Sequence, residues 1–207
     1  MTKSKLMQLS IAAAVTIASG CSKSSEPPAA AASQGDEASP QEQARGLSDG
    51  QLMQVLATVD ADEIQQAQVA LTKATAPQVR NFASDMIEQH TRAKQQGAAL
   101  ASQNGLALRP SPVSEKLDKS GKETLDMLQR TDSRDFDNAY IKAQLKQHAA
   151  VLKQLDETLI PNADGSAVKQ QLTEARGMVQ QHLNHAQQLS SDMGSTGIPG
   201  STGNMER

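Results

Sequence analysis

Four long stretches of the chain carry apolar residues at every third or fourth position. This spacing places the residues of each stretch along one face of an α-helix. The pattern therefore predicts four long amphipathic helices. The apolar positions are Leu52, Leu56, Val59, Ala67, Ala70 and Ala74 in the first; Val79, Phe82, Ala83, Met86, Ala93, Gly97, Leu100 and Ala101 in the second; Phe136, Tyr140, Ile141, Leu145, Leu152, Leu155 and Leu159 in the third; and Val168, Leu172, Ala175, Val179, Ala186 and Leu189 in the fourth.

The ends of the first two helices are marked by residues with known capping behaviour. Ser48 and Gln51 fit the Ser-x-x-Gln capping box, in which each side chain accepts a hydrogen bond from a backbone amide of the other residue. Pro77 cannot continue a helix but suits a first helical position, so a tight turn should join two antiparallel neighbours. Asn104-Gly105 is typical of a helix C-terminus, because glycine readily adopts the left-handed conformation there.

Residues 105–132 are expected to form a long connection rather than a further core helix. Pro110 and Pro112 favour an extended segment, and Ser114 can cap a short helix after it. The apolar face of this helix is thin, and Gly121 lowers its stability. The face consists of Leu117, Leu125 and Leu128.

The third helix should begin at Asp132 or Ser133, and a turn at residues 161–165 should precede the fourth. Asp135 and Asp137 then lie near the start of the third helix. The helix dipole favours negative charge at that end, so this placement accounts for both residues without a further role.

Two antiparallel helix pairs joined by one long connection are the wiring of ferritin-like bundles. The predicted fold class is therefore all-α, a ferritin-like antiparallel four-helix bundle over residues 47–190, with a long crossover that contains a short helix. The polar, glycine-rich residues 191–207 are expected to be a disordered tail.

Residues 1–20 have the features of an export signal, with a basic start before an apolar run. The run ends in Ala18-Ser19-Gly20-Cys21, which resembles the lipobox of bacterial lipoproteins, in which the cysteine carries the lipid. Cys21 is the chain's one cysteine, and lipidation accounts for a lone thiol in an exported protein. The alternative is an ordinary cleaved signal and a free thiol. Ser22, rather than aspartate, is the residue that the lipoprotein sorting pattern associates with the outer membrane.

Residues 21–46 are rich in Ser, Pro, Ala and Glu and contain almost no large apolar side chain, so they predict a disordered tether. The lipid on Cys21 would join this tether to the membrane and leave the helical domain in the periplasm. The formal charge is −3, with acids and bases interspersed, so nothing in the chain attracts nucleic acid.

Four ionisable residues interrupt the apolar faces, one on each predicted helix: Glu63, His90, His148 and His182. Burying such groups costs several kcal/mol unless they are paired or bound to a metal, so we expect them to meet. Glu63 lies about 11 residues before the first turn and His90 about 13 after it, a difference in height of about 3 Å. His148 and His182 differ by about 7 Å, so a shared layer requires a loosely built second turn.

A metal site made of these four residues would differ from the di-metal carboxylate sites of helical bundles. Those sites use Glu-x-x-His motifs, and the glutamates are missing before His90 and His182. Met86 and Met178 stand one helical turn before these histidines, and a thioether beside an imidazole favours copper over hard cations. Tyr140 is a candidate hydrogen-bonding partner around the site.

Three interpretations of the buried polar residues remain open. The histidines could hydrogen-bond to Glu63, Tyr140 or the backbone without any ligand. They could instead form a weak or labile transition-metal site, or a catalytic site. His185, one turn beyond His182, is expected on the flank of the bundle, and methionine at a core position is ordinarily a filler. The chain contains no His-Glu-x-x-His, no Gly-x-Ser-x-Gly and no phosphate-binding glycine loop, so no catalytic residue is assigned.

Residues 61–110 and 135–159 resemble one protein family. Its marks in this chain are Glu63, the Phe-Ala-x-x-Met-x-x-x-His pattern from Phe82 to His90, Phe136-Asp137-x-x-Tyr140 with His148 downstream, and His182. The family is the ferritin-like bacterial domain of unknown function numbered four-one-four-two, often labelled predicted outer membrane protein. The resemblance covers about residues 47–190 and implies a ferritin-like bundle and export, without an assigned activity. In the family an aspartate usually precedes the second-helix histidine, and Gln89 in its place removes a carboxylate partner.

The sequence thus predicts a lipid-anchored protein of the outer membrane whose helical domain is a non-catalytic binding or envelope-maintenance module. The alternative is a protein that binds copper or iron through Glu63, His90, His148 and His182 and has an oxidative-stress role. A third alternative is an assembly subunit, which would form a homo-oligomer. No protein partner can be named from the sequence.

Overall fold

The computed structural model describes residues 46–195, and within this range the chain is all α-helical, as predicted. None of the helices in this range has the length and hydropathy needed to cross a bilayer. The expected signal peptide, Cys21 and the tether up to residue 45 lie outside the described residues. The helices are α1 (Asp49–Lys73), α2 (Pro77–Gln103), α3 (Pro112–Arg130), α4 (Ser133–Gln154) and α5 (Ser166–Ser195).

The first two helices begin and end where the sequence predicts. The amide of Ser48 donates to Gln51 Oε1 over 3.1 Å, and the amide of Gln51 donates to Ser48 Oγ over 3.4 Å, so the capping box is present. Pro77 is the first residue of α2, and Asn104 caps the end of that helix. Gly105 has a φ of 62°, a left-handed conformation that glycine adopts without strain. α1 and α2 pack against each other along their length.

The connection between α2 and α4 differs from the prediction, because α3 is a full helix of 19 residues that contributes to the core. It is capped by Ser111, not by Ser114, although Ser114 completes the capping box from inside the helix. Val113 and Leu128, at its two ends, are buried. Gly121, which the sequence indicated only as a weak point, lies against the Asp62 side chain, where a β-carbon would clash. A thin apolar face is therefore enough, because the glycine lets α3 approach α1 closely.

α4 continues beyond Gln154 as a π-helical turn, Leu155–Leu159, before the connection to α5. α5 then runs through Ser195, five residues past the predicted end of order at Ser190. The reason is that Met193 packs against the apolar cluster near this end of the helix. The remaining predicted tail, residues 196–207, lies outside the described residues.

The buried apolar residues form two clusters separated along the helices by a layer of polar side chains. One cluster includes Leu52 to Val59 of α1, Val151 to Leu159 around the end of α4, and Val168 to Val179 of α5. The other includes residues of all five helices, among them Phe82 and Leu128. Between them lies a polar layer that we define as Asp60, Glu63, Gln66, His90, Gln144, His148 and His182, all of them buried. Every histidine predicted in an apolar face lies in this layer.

Asp137 has a role that its position near the start of α4 does not reveal. Its carboxylate accepts hydrogen bonds from the amides of Thr75 and Ala76, over 3.0 and 2.8 Å, and from the Thr75 hydroxyl over 2.6 Å. It therefore ties α4 to the turn between α1 and α2 and satisfies amides at the start of α2, where Ala76 has no side-chain cap of its own. The interpretation of Asp137 by the helix dipole alone is wrong.

We expect Asp137→Ala to lower the free energy of unfolding by about 1–3 kcal/mol, because several hydrogen bonds to a carboxylate are lost together. Urea unfolding followed by circular dichroism measures this change. Asp135→Ala is the matched control, since Asp135 is exposed in the first turn of the same helix and should cost no more than about 1 kcal/mol. Equal losses in the two variants would contradict the assignment of this role to Asp137.

Candidate metal centre

The carboxylate that orients His90 is Asp60, which lies about one helical turn before the expected partner, Glu63. His90 Nδ1 lies 2.8 Å from Asp60 Oδ1, and both side chains are buried. The sequence prediction paired His90 with Glu63. In an antiparallel pair, however, a residue about 13 positions after the turn is level with one about 14 positions before it, which is Asp60. The ring therefore directs its other nitrogen, Nε2, away from α1, and this atom has no hydrogen-bond partner within residues 46–195.

His148 and His182 meet directly in the middle of the polar layer. His148 Nε2 lies 3.3 Å from His182 Nδ1, although equal heights from the turn would leave them about 7 Å apart. The π-helical turn Leu155–Leu159 and the six residues 160–165 separate α4 from α5. The Asp49 carboxylate accepts hydrogen bonds from the amides of Asp164 and Gly165 over 3.1 and 2.8 Å, and so holds this connection to the start of α1. The shared layer is thus present, but with a second turn that is held to α1 rather than loosely built.

The outer hydrogen bonds of the two rings determine which nitrogens keep a free electron pair. His148 Nδ1 lies 2.9 Å from the carbonyl oxygen of Gln144, which can only accept, so Nδ1 carries the proton and Nε2 does not. His182 Nε2 lies 3.0 Å from Gln89 Oε1 and donates to it, which leaves Nδ1 unprotonated. Two electron pairs then face each other over 3.3 Å. A cation between the rings relieves this repulsion. The repulsion is also relieved if the Gln89 side-chain amide is rotated, so that its nitrogen donates to His182 Nε2 and the ring proton lies on Nδ1.

Burial keeps these two imidazoles neutral. Burial, together with the smaller effect of the neighbouring rings of His90, His148 and His185, lowers the pKa of His182 to about 3. Burial also lowers the pKa of His148, against the opposing charge of Glu63. Neutral imidazoles are the form that binds metals. Both rings are therefore available as ligands at neutral pH.

The carboxylates of α1 complete the layer on its other side. Glu63 Oε1 lies 3.9 Å from His148 Nδ1, and Glu63 Oε2 has no hydrogen-bond partner among the described residues. Burial raises the pKa of Asp60, while the hydrogen bond from His90 opposes this change. Tyr140, the expected partner, is buried beside Phe82 and Phe136, and its hydroxyl is likewise unpartnered within the described range. Burial and the charge of Glu63 raise the pKa of Tyr140 well above its usual value.

The remaining residues predicted near the site lie at its edges. Met86 is buried in the apolar cluster that contains Phe82. Met178 is half-buried and lines a surface pocket between α2 and α5. His185 is exposed, as expected, and its ring contacts Phe82 edge-on at a centroid distance of 5.1 Å. Whether either methionine serves as a soft ligand stays a prediction.

Sequence reasoning missed Asp60 and the glutamines of the layer. Asp60 precedes Glu63 by three residues and so shares its helical face, a spacing that could have indicated a second carboxylate. Gln144 Nε2 donates to Gln66 Oε1 over 3.3 Å, and Gln66 Nε2 donates to the Gly121 carbonyl over 3.5 Å, which extends the layer to α3. Gln89, read as the loss of a carboxylate, is instead the hydrogen-bond partner of His182. A glutamine on a helix flank carries no pattern that predicts such a contact.

Three imidazoles can hold one metal ion. One ring nitrogen from each of His90, His148 and His182 lies within 4.8 Å of the others, and all three residues are buried. An ion bound at about 2.0–2.1 Å from each nitrogen requires the nitrogens to lie roughly 3.3–3.5 Å apart. The nitrogens of His148 and His182 already have this spacing. Small ring rotations would bring the His90 nitrogen to the same distance. Asp60 on His90 is the carboxylate–histidine arrangement that orients metal ligands.

Comparison with protein families matches residues 31–189 to the family described as Domain of unknown function (DUF4142). The match covers most of the chain. The protein belongs to this family. No curated protein and no solved structure matches it. The resemblance seen in the sequence is thus confirmed for the DUF4142 family.

We expect the low pKa of His182 to make the metal-free protein less stable in acid. The unfolded chain takes up this proton near the ordinary pKa of 6.5, and the folded protein only near 3, so the unfolded state binds more protons in between. The stability contributed by the neutral ring is complete above pH 6.5 and is lost as the pH falls. Between pH 6.5 and 5, wild type should lose about 1–2 kcal/mol more than His182→Gln.

Urea unfolding of chelator-treated protein at several pH values measures this difference. His185→Gln is the matched control, because it removes an exposed imidazole from the same helix and should keep the pH dependence of wild type. Parallel pH profiles for wild type and His182→Gln would show that His182 is not held neutral by folding.

Proposed function

We propose that this DUF4142 protein is a lipid-anchored envelope protein whose helical domain binds one first-row transition-metal ion without catalysing a reaction. The observation that carries the proposal is the convergence of ring nitrogens from His90, His148 and His182 in a buried layer. Such a layer costs several kcal/mol of desolvation, which metal binding offsets.

The arrangement supports one ion rather than two. Di-metal bundles take carboxylates from all four helices. In this protein the two carboxylates of the layer, Asp60 and Glu63, both come from α1, and α2, α4 and α5 each supply one imidazole. The three imidazoles would be the ligands and Asp60 would orient His90. Glu63 lies beside His148 Nδ1, outside this group, and would balance the charge of the ion.

The proposed architecture is a ferritin-like bundle of α1, α2, α4 and α5, with α3 as the crossover helix. The pairing of α1 with α2 and of α4 with α5 supports it, as does the long connection from Asn104 to Asp132. The polar layer in the middle of these four helices occupies the level at which bundle proteins build their metal sites.

Copper and iron are the metals that this ligand set favours among those with redox chemistry. Imidazole nitrogens suit copper, iron, zinc and nickel, and copper binds most tightly in the divalent series. A buried site that holds a redox-active ion keeps it away from peroxide in solution. This consequence supports the proposed role in protection against oxidative stress.

The metal content of protein purified from its native envelope tests whether the domain binds an ion. We expect about one equivalent of copper or iron in wild type and less than a tenth of that in His90→Ala, because His90 supplies one of the three nitrogens. Asp60→Asn keeps the shape of the orienting residue and should weaken binding by about 10- to 100-fold. Elemental analysis and competition with a coloured chelator measure the two effects.

His185→Ala is the matched control, since it removes an exposed histidine and should retain the metal. Circular dichroism of all variants establishes that the helical fold is intact. Metal-free wild type that takes up no ion on titration would refute the proposal and would favour histidines that only hydrogen-bond to one another and to Gln89.

The membrane anchor rests on Ala18-Ser19-Gly20-Cys21 and on the lone cysteine. We expect Cys21→Ser to release the protein from the outer membrane into the soluble periplasmic fraction, because a lipid-bearing cysteine supplies the only attachment that the sequence predicts. Ser22→Ala keeps the cysteine and is the control that should remain attached. Fractionation and immunoblotting distinguish the two, and a Cys21→Ser protein that stays in the membrane would refute lipid anchoring.

A further inference from the structure

A cleft of about 190 Å³ lies between α1, α3 and α4. α3 approaches α1 closely at Gly121, but α4 presents small side chains to this side of α3, which leaves space between the two helices. The walls are largely apolar, and the apolar residues that line them are Val59, Leu117, Met127, Ala143, Ala150 and Val151. A cleft with such walls suits the apolar part of a small molecule.

Asp62 supplies a buried carboxylate to this cleft. The residue is only 8% exposed, and its carboxylate lies against Gly121, at the place that a β-carbon would take. It accepts no hydrogen bond and forms no ion pair within residues 46–195. Burying a carboxylate without such a partner is costly. A ligand that donates hydrogen bonds to Asp62 would therefore offset a cost that the fold alone leaves in place.

The charges around Asp62 favour a cationic ligand. Burial, together with the smaller effects of Asp118 and Glu63, raises the pKa of Asp62 to about 7. Lys122 acts in the opposite direction, but its ammonium group is paired with Asp118 over 2.7 Å. Lys146 lines the cleft from α4 and is exposed to solvent. Neither lysine forms an ion pair with Asp62, and a bound cation would favour the ionised form of this carboxylate.

Gln147 contributes a second hydrogen-bond acceptor to the cleft, from α4. Its side-chain oxygen Oε1 is buried and has no partner in the part of the chain that the structure describes. α1 and α4 run antiparallel, and Glu63 lies 3.9 Å from His148, so Asp62 and Gln147 differ in height by only about 3 Å. A carboxylate and an amide oxygen at nearly the same level match an ammonium group, which has donors and no acceptor.

We propose that this cleft binds a small amphiphilic amine, with the ammonium group on Asp62 and Gln147 and the apolar part against the walls between α3 and α4. Three helices bound the cleft, so its volume limits the ligand to a small molecule. Benzene fits a cavity of about 150 Å³, so an amine with a single ring or a short alkyl chain has a suitable size. The inference is independent of the proposed metal centre, because it uses other residues and other chemistry.

Titration of chelator-treated, full-length protein with phenethylamine, followed by amide NMR spectra of isotope-labelled protein, tests the site. The chelator removes any metal ion that could itself bind the amine. We expect the largest shifts at amides around the cleft, including that of Gly121. The affinity should be at least about tenfold higher than that for phenethyl alcohol, because the neutral alcohol cannot form the charge-assisted hydrogen bonds.

Asp62→Asn keeps the shape of the carboxylate and removes its charge, so this variant should bind the amine and the alcohol about equally. Asp126→Asn is the matched control, since it removes an exposed carboxylate of α3 that does not line the cleft, and it should bind the amine like wild type. Ala143→Leu fills the cleft and should weaken the binding of both compounds by about tenfold or more. Circular dichroism establishes that each variant keeps its helical fold.

Wild type that binds the two compounds equally, or binds neither, would overturn the proposal. An Asp62→Asn protein that keeps the preference for the amine would also overturn it, because the carboxylate would then not be the group that recognises the ammonium. Amide shifts confined to residues outside the cleft would show that the amine binds elsewhere, with the same consequence. None of these results would change the expected metal content of the protein.

Discussion

The fold depends on satisfying ionisable side chains in a layer from which water is excluded. Asp60, Glu63, His90, His148 and His182 lie between two apolar clusters, and none of them is more than slightly exposed. Each would cost several kcal/mol if left unpaired. The layer therefore restricts how the helices can slide along one another, since a shift of one turn would bring these groups against aliphatic side chains.

The connections between helices fix the heights that this layer requires. Asp137 of α4 holds the turn that joins α1 to α2, and Asp49 of α1 holds the connection that leads into α5. Each bond links elements that are distant in the chain. Together they set α4 and α5 against α1, so that His148 and His182 arrive at the level of Glu63. Two surface carboxylates thus contribute to the geometry of a site that neither of them touches.

The sequence predicted the parts of this structure that follow from helical periodicity. The apolar faces, the Ser48 cap and the burial of Glu63 and the three histidines are all governed by local spacing. The partners of those histidines are not, because they depend on which residues of neighbouring helices stand level. An error of one turn in height assigned Glu63 to His90 in place of Asp60. Likewise, the sequence alone indicates only that Gly121 weakens a helix. Its close contact with Asp62 of α1 is visible only in the folded protein.

The charge of the layer bears on how many ions it can hold. Asp60 and Glu63 bring two negative charges when ionised, and burial keeps His148 and His182 neutral. With all three imidazoles as neutral ligands, a single divalent ion would leave the ionised layer without net charge, whereas two would leave it strongly positive in a region of low dielectric constant. Gln89 fits this balance, because an amide hydrogen-bonds to His182 without adding a third negative charge. The three imidazoles and the Gln89 amide therefore suit the proposed site for one ion.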